Sequence, residues 1–227
     1  SYFMRRFVIR HSPFVILAAL WLLFFWRYFI PGPLRVTFPA GDFTYQFFIF
    51  RDIAYRALAA GHLPLWANCF FAGYPFHADP QSQLFYPPIW ISFALLKMMG
   101  WGNFPLFALT LETTFHYLLT SIFTFCFLRA ELGSPTHPGS LAPLLGSITF
   151  TYGGYLTGYP PLQTAILETV TWLPLILLIL RRLTESPITN HQFTNNQLRL
   201  ITLSSLALAL AFFAGHPQAF LFVAYLS

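Results

Sequence analysis

The sequence predicts an all-α protein, a polytopic bundle of transmembrane helices with interfacial helices in a long first outer loop. Three observations lead there. Only 8% of the 227 residues are Asp, Glu, Lys or Arg, where a soluble domain carries about 25%. Apolar types make up 56%, and 28 residues are Phe. The basic residues stand at the ends of apolar runs, as membrane topology requires. The net charge of +5 therefore speaks for a lipid bilayer as partner and against nucleic acid. Cys69 and Cys126 are too few, and Cys126 too deep in an apolar run, to predict a disulfide framework.

The elements follow in order. The first span covers about 8–30 and centres on "FVILAALWLLFFWRYFI". At ~1.5 Å rise per residue it crosses a hydrocarbon core of ~30 Å. Arg5, Arg6 and Arg10 precede that apolar run and place the N-terminus in the cytoplasm. The run is long for a signal peptide and no A-x-A site follows, so a retained anchor is expected. Ser1 at the start and "FLFVAYLS" at the end read as the N-terminal part of a longer protein.

An outer loop over 31–103 comes next. Gly41 and Asp42 open a helix over Phe43–Ala60 that stops at Gly61. Its polar residues Thr44, Arg51, Asp52 and Arg56 are outnumbered by rings, so it should lie along the interface. "PPIWISFALLKMMGWGN" is too short to span and reads as a second interfacial or re-entrant helix. Spans at 104–128, 141–156, 164–180 and 200–214 then alternate in direction, and 219–227 begins another. Seven of the twelve Lys and Arg, namely Arg5, Arg6, Arg10, Arg129, Arg181, Arg182 and Arg199, fall on the cytoplasmic side. The same topology puts "GDF", "HADPQ", "YPP" and "GHPQ" on the outer face.

Those outer motifs carry the candidate chemistry. Asp42 is the first carboxylate after the first span. It is a general base or metal ligand at the membrane surface, or else the N-cap of the following helix. Asp79 in "ADPQ" is a ligand-binding or metal-ligating carboxylate, or ordinary Asp-Pro turn chemistry. Arg51 and Arg56 have the chemistry to hold a phosphate by charge-assisted hydrogen bonds; an Asp52–Arg56 pair on the helix surface is the plainer account. His62, His77 and His216 suit phosphate or metal, but no H-x-x-x-H spacing supports zinc. "HADPQ" and "GHPQ" are both proline-containing polar breaks at the end of apolar sequence, and irregular backbone at that depth is tolerated where protein buries it or water fills it. Asp79, Gln81, His216 and Gln218 are therefore expected to line one cavity.

Inside the spans lie Glu112, His116 and Glu168. A charge at the bilayer centre costs roughly 2.5–3.5 kcal/mol on insertion scales, so each is a functional candidate. A Glu112–His116 hydrogen bond that braces helices is the structural alternative. There is no phosphate loop, no dinucleotide fingerprint, no CxxC and no G-x-S-x-G.

The strings "GDFTYQFF", "LPLWANCFFAGYPFHADPQSQLFYPP", "HYLLTSIFTFCFLRAELG", "WLPLILL" and "FFAGHPQ" resemble the bacterial YfhO-type membrane proteins, a family placed in the GT-C superfamily of glycosyltransferases. The family's "PLWNP" here reads "PLWAN". The resemblance implies a large helical enzyme of the bacterial cytoplasmic membrane with its active face outside. Such an enzyme takes a sugar from a polyprenyl-phosphate donor and passes it to an envelope glycopolymer or lipid acceptor. It also implies an essential Asp in the first outer loop, the position Asp42 occupies. No cofactor is implied with certainty; a divalent cation, Mg or Mn, on Asp42 or Asp79 is compatible with the chemistry. A phosphate leaving group needs charge stabilisation more than protonation, and Arg, His or a metal supplies that. One carboxylate that takes the acceptor proton then suffices for inverting single displacement. The rival expectation is a transporter or flippase with Glu112, His116 and Glu168 as a relay across the membrane. A non-catalytic anchor is the third.

Overall fold

The computed structural model describes residues 2–132, 141–185 and 193–227, with side chains from Ser12 onward. Helix α1, Tyr2–Phe29, contains the apolar window Ser12–Phe29, of which only 11% is buried against the rest of the chain. A helix so apolar and buried so little is compatible with a membrane span. After Gly32, at φ +95°, the chain enters the long loop. A π-helical turn over Phe43–Phe47 runs directly into α2, Phe48–Ala59. Gly61, at φ +85°, lies just past its end. Two single 3-10 turns follow, Phe76–Ala78 and Pro80–Ser82, then α3, Pro87–Met98. At 12 residues α3 is about 18 Å long, too short to span.

The remaining helices form the bundle: α4, Leu106–Leu132; α5, Leu141–Tyr152; α6, Gly154–Thr157; α7, Thr164–Thr171; α8, Leu173–Thr184; α9, Asn195–Phe213; and α10, Pro217–Leu226. Among the described residues there is no regular strand, only an isolated bridge between Ala67 and Tyr74. Four segments are long and apolar enough to cross a membrane: Ser12–Phe29, Leu106–Leu132, Thr164–Thr184 and Asn195–Phe213. The expected span over 141–156 is divided between α5 and α6, with the break at Gly153, and α5 alone is only 12 residues long.

Named contacts fix the helix directions. Phe14 packs on Phe125 while Phe25 packs on Tyr117, so α1 is antiparallel to α4. Ser147 Oγ donates to the Ser121 carbonyl while Tyr152 stacks on Tyr117, so α5 is also antiparallel to α4. Thr171 meets Thr120 and Arg181 meets Glu131, so α7 and α8 run parallel to α4. The alternation expected from the basic residues is therefore present in the packing.

Helix α4 is the axis of this arrangement, and its sequence explains how. Thr110, Thr113, Thr114 and Thr120 donate their hydroxyls to carbonyls one turn back, at 3.2, 2.9, 2.8 and 2.7 Å. Polar side chains so satisfied can sit in an apolar interior. They are also small, which lets neighbouring backbones come close. At Gly146 of α5 an added Cβ would stand 2.6 Å from Leu128 Cδ1.

Helix α2 departs from the expected interfacial helix. It buries Phe50, Arg51, Ala54, Tyr55 and Ala57 against the bundle. Its rings fill a shared core with Phe76, Phe93 and Phe104, and so carry Arg51 inward as well.

Candidate functional site

Three connections meet at one end of the bundle, here called the loop face. Gln163, in the turn before α7, donates from Nε2 to Asp42 Oδ2 at 2.6 Å. Gln83 Nε2 donates to the carbonyl of Ala214 at 2.5 Å. A Cβ added to Gly215 would lie 2.2 Å from the Pro80 carbonyl oxygen. The segment between α1 and α3 thus folds over the ends of α7 and α9. The polar breaks "HADPQ" and "GHPQ" are brought together through Pro80 and Gly215.

Asp42 is half-buried and makes no capping hydrogen bond to the helix that follows. The first N–H groups of the turn find a main-chain acceptor instead: Thr44 N–H and Tyr45 N–H donate to the Gly41 carbonyl at 3.0 and 2.8 Å, and Thr44 Oγ1 accepts from Gly41 N–H at 3.3 Å and donates to the Gly41 carbonyl at 3.2 Å. The reason is geometric. A π-helical turn begins here, and Asp42 itself has helical backbone angles, φ −56° and ψ −31°, so its side chain does not fold back over the N–H groups as an extended cap residue's would. Among the described residues its one hydrogen-bond partner is Gln163.

Asp79 adopts the turn role. Its Oδ1 accepts from Gln81 N–H at 2.8 Å and opens the 3-10 turn Pro80–Ser82. Its Oδ2 accepts from Tyr74 O–H at 2.6 Å. Burial first, then this hydrogen bond and the carboxylate charge, push the Tyr74 phenol up to about 12. Gln81 Oε1 accepts from Gln46 Nε2 at 2.6 Å, which ties the motif to the π-helical turn. His77 is exposed and its Nδ1 lies 2.9 Å from the Leu65 carbonyl. His216 is committed as the N-cap of α10, its Nδ1 accepting from Ala219 N–H at 3.1 Å. Burial lowers its pKa below the usual imidazole value. Gln218 is exposed on the first turn of α10. Among the described residues no group of three or more His, Cys, Asp or Glu side chains comes together.

Arg51 and Arg56 do not share a site. Arg56 is exposed and pairs with Asp52 at 2.7 Å, the i,i+4 arrangement. It also borders a cleft of about 460 Å³ with His62 and Trp66. Arg51 is wholly buried and points into the bundle. Its Nε donates to Glu112 Oε2 at 2.9 Å, its Nη2 donates to Gln83 Oε1 at 2.7 Å, and Nη2 stands 3.6 Å from Glu168 Oε1. Gln83 Nε2 donates to Glu168 Oε2, and Ser92 Oγ is hydrogen-bonded both to Glu112 Oε1 and to the Ile89 carbonyl, the latter at 2.7 Å. Gln83 reaches these groups from a left-handed backbone conformation, φ +54°.

Glu112 and His116 do not join through their side chains. His116 Nδ1 lies 2.7 Å from the Glu112 main-chain carbonyl, which only accepts, so Nδ1 carries a proton. Nε2 of the neutral ring then accepts from Tyr86 O–H at 2.8 Å, and the Tyr86 oxygen accepts from Trp172 Nε1 at 2.9 Å. Burial raises the Tyr86 pKa well above that of a free phenol. Ser92, Glu112 and His116 also form the polar floor of a groove of about 490 Å³ between α1, α3 and α4, otherwise walled by residues such as Ile91, Leu95, Leu111 and Phe115.

Sequence reasoning placed Asp42, Arg51, Glu112 and Glu168 among the candidates but missed their partners. Gln83 and Tyr86 sit inside "PQSQLFYPP", and Gln163 ends "YPPLQ"; a polar residue within an otherwise ring-rich string was the available signal. The chain matches no protein-family model, no curated protein and no solved structure.

Proposed function

We propose that the protein is a multi-pass membrane glycosyltransferase of GT-C type. On this reading it moves a sugar from a polyprenyl-phosphate carrier to an envelope acceptor on the outer side of a bacterial cytoplasmic membrane. The observation that carries the reading is Asp42. Its carboxylate is relieved of helix capping and oriented by the neutral amide of Gln163. An amide donor fixes the carboxylate without cancelling its charge, so the group remains a competent proton acceptor. It stands at the loop face, at the head of the segment that covers the bundle. The resemblance to YfhO-type proteins supports the same residue.

In the proposed step the acceptor hydroxyl loses its proton to Asp42, its oxygen attacks the anomeric carbon, and the carrier phosphate leaves with the bonding electrons. The exposed Arg56 and His77 lie in the same loop segment, where cationic or hydrogen-bonding groups would offset charge on the departing phosphate. The apolar groove beside α3 suits the hydrocarbon part of such a donor. The test is to supply the full-length protein, in lipid, with defined polyprenyl-phosphate sugars. Carrier-dependent transfer that is lost on Asp42→Asn is expected; absence of transfer with every carrier sugar tried would set the reading aside.

A transporter or flippase is the second reading. The buried Arg51, Glu112 and Glu168 favour it, since ionisable side chains inside spans mark transport and proton pathways. Movement of a carrier lipid between leaflets without sugar transfer would decide for it.

A further inference from the structure

The buried cluster around Arg51 has an unbalanced charge. Arg51 contributes one positive charge; Glu112 and Glu168 contribute two negative charges if both are ionised. Arg51 and Glu168 are wholly buried and Glu112 is 9% exposed. A net charge held in an apolar interior is strongly unfavourable, and carboxylates so placed neutralise by taking up a proton.

The hydrogen bonds leave two positions for the proton. Glu112 Oε2 accepts from Arg51 Nε, but Glu112 Oε1 faces Ser92 Oγ, whose single proton also reaches the Ile89 carbonyl at 2.7 Å; with that proton on Ile89, the contact takes a proton on Glu112. Glu168 Oε2 is occupied by Gln83, but among the described residues Oε1 has no hydrogen-bond partner and stands 3.6 Å from Arg51 Nη2. Arg51 Nη1 also has none.

The other titratable groups facing the cluster do not supply the missing positive charge. His116 on α4 is a neutral ring in the hydrogen-bond arrangement described above, and Tyr86 is a phenol that donates to it. Tyr117 on α4 donates to the Leu156 carbonyl. His216, ahead of α10, accepts a backbone N–H and is therefore neutral at Nδ1. Arg181 and Arg182 on α8, Arg199 on α9 and Tyr225 on α10 lie toward the far ends of their helices.

We propose that the Arg51–Glu112–Glu168 cluster is an intramembrane proton-binding site that holds one exchangeable proton, on Glu112 Oε1 or Glu168 Oε1. Its ligand is a proton, because Arg51 and Glu168 are wholly buried; Glu112 is the member of the cluster that borders the apolar groove beside α3. The site is separate from Asp42 and does not depend on sugar transfer. Gln83 touches Arg51, Glu168 and the Ala214 carbonyl at once. Gain or loss of the proton therefore acts on the residue that ties the loop face to the turn between α9 and α10.

Infrared spectroscopy of the full-length protein in lipid at neutral pH tests this by counting protonated carboxyl groups. The number expected is the carboxyl groups of the cluster minus its guanidinium groups. The unaltered protein should show the carbonyl stretch of one protonated acid, shifted in deuterated water. Glu168→Gln and Glu112→Gln should each abolish it, because one carboxylate then balances Arg51. Arg51→Gln should double it. No protonated acid in the unaltered protein would overturn the proposal, and that measurement needs no variant to fold. A band that survives either glutamine substitution in a protein with an intact unfolding transition would overturn it as well.

Discussion

Gly215 and Pro80 are in backbone contact: a Cβ on Gly215 would stand 2.2 Å from the Pro80 carbonyl oxygen, and Gly215 has φ +87°. Neither the space nor the backbone angle suits an L side chain. Gly215→Ala must either strain this turn or push the loop segment off the ends of α7 and α9. A loss on the order of 2 kcal/mol or more is expected, since a backbone clash and a left-handed conformation add. Thermal unfolding in lipid would measure it. Gly61→Ala, with φ +85° but nothing within 4 Å of the added carbon, should cost about 1 kcal/mol, the conformational part alone.

Arg51 serves partners with two different nitrogens, Nε to Glu112 and Nη2 to Gln83. Arg51→Met leaves two buried carboxyl groups without their cation. Removing one partner of a buried pair costs about 3–5 kcal/mol. Arg51→Lys should not rescue it well, because an ammonium has no planar fork to reach both groups. Replacing all three residues together, as Arg51→Met with Glu112→Gln and Glu168→Gln, should recover much of the loss. If the triple variant is as unstable as Arg51→Met alone, the damage comes from packing and not from charge.

Much of the fold was legible because membrane helices announce themselves by length and by flanking charge. The alternation of α4, α5, α7 and α9 was readable from Arg129, Arg181 and Arg182. The site was less legible, because its partners are far apart in sequence. Arg51 looked like a surface residue on an amphipathic helix; the acids that receive it lie 61 residues away at Glu112 and on α7 at Glu168. Likewise Asp42 and Gln163 are 121 residues apart. The Asp42 cap failed for a local reason: a π-helical turn is set by packing of Phe43 and Phe47 into the core, and no residue pattern signals it.

His216 gives a pH dependence with a definite sign. Its folded pKa is lowered by burial from the usual value of 6.5, and its Nδ1 must be unprotonated to accept Ala219 N–H. Protonation therefore favours the unfolded state. The cap's contribution is complete above pH of about 6.5 and is lost as pH falls through the lower folded value. The protection of the Ala219 amide relative to its intrinsic exchange rate at each pH should fall as the medium is acidified across that range. His216→Asn, a good cap that does not titrate, should remove the dependence; its persistence would assign the effect to another group.

Topology is testable with the native thiols. Cys69 is exposed in the loop segment and Cys126 is partly buried in α4. An impermeant thiol reagent added to intact cells should label Cys69, and Cys69→Ser should abolish labelling. Glu185, with its side chain 59% exposed just past α8, lies at the opposite end of the bundle. A cysteine placed there in a background lacking Cys69 and Cys126 should react only after permeabilisation. Labelling of that site in intact cells would reverse the orientation.

Asp42 is where a capping role and a catalytic role separate most sharply. The helix after it draws no hydrogen bond from its side chain, so Asp42→Asn should change stability little, within about 0.5 kcal/mol. The substitution keeps an oxygen that can accept from Gln163 and removes the proton acceptor. Transfer by the full-length protein should then fall by a factor on the order of 10²–10⁴, the usual worth of a general base. Gln163→Leu makes the complementary test. It leaves the carboxylate in place but takes away the amide that aims it, so activity should fall by a smaller factor. A well-folded Asp42→Asn protein with near-normal transfer would remove the base from Asp42. Asp79, whose two oxygens are already occupied by Tyr74 and by the Gln81 backbone, would be a poor replacement.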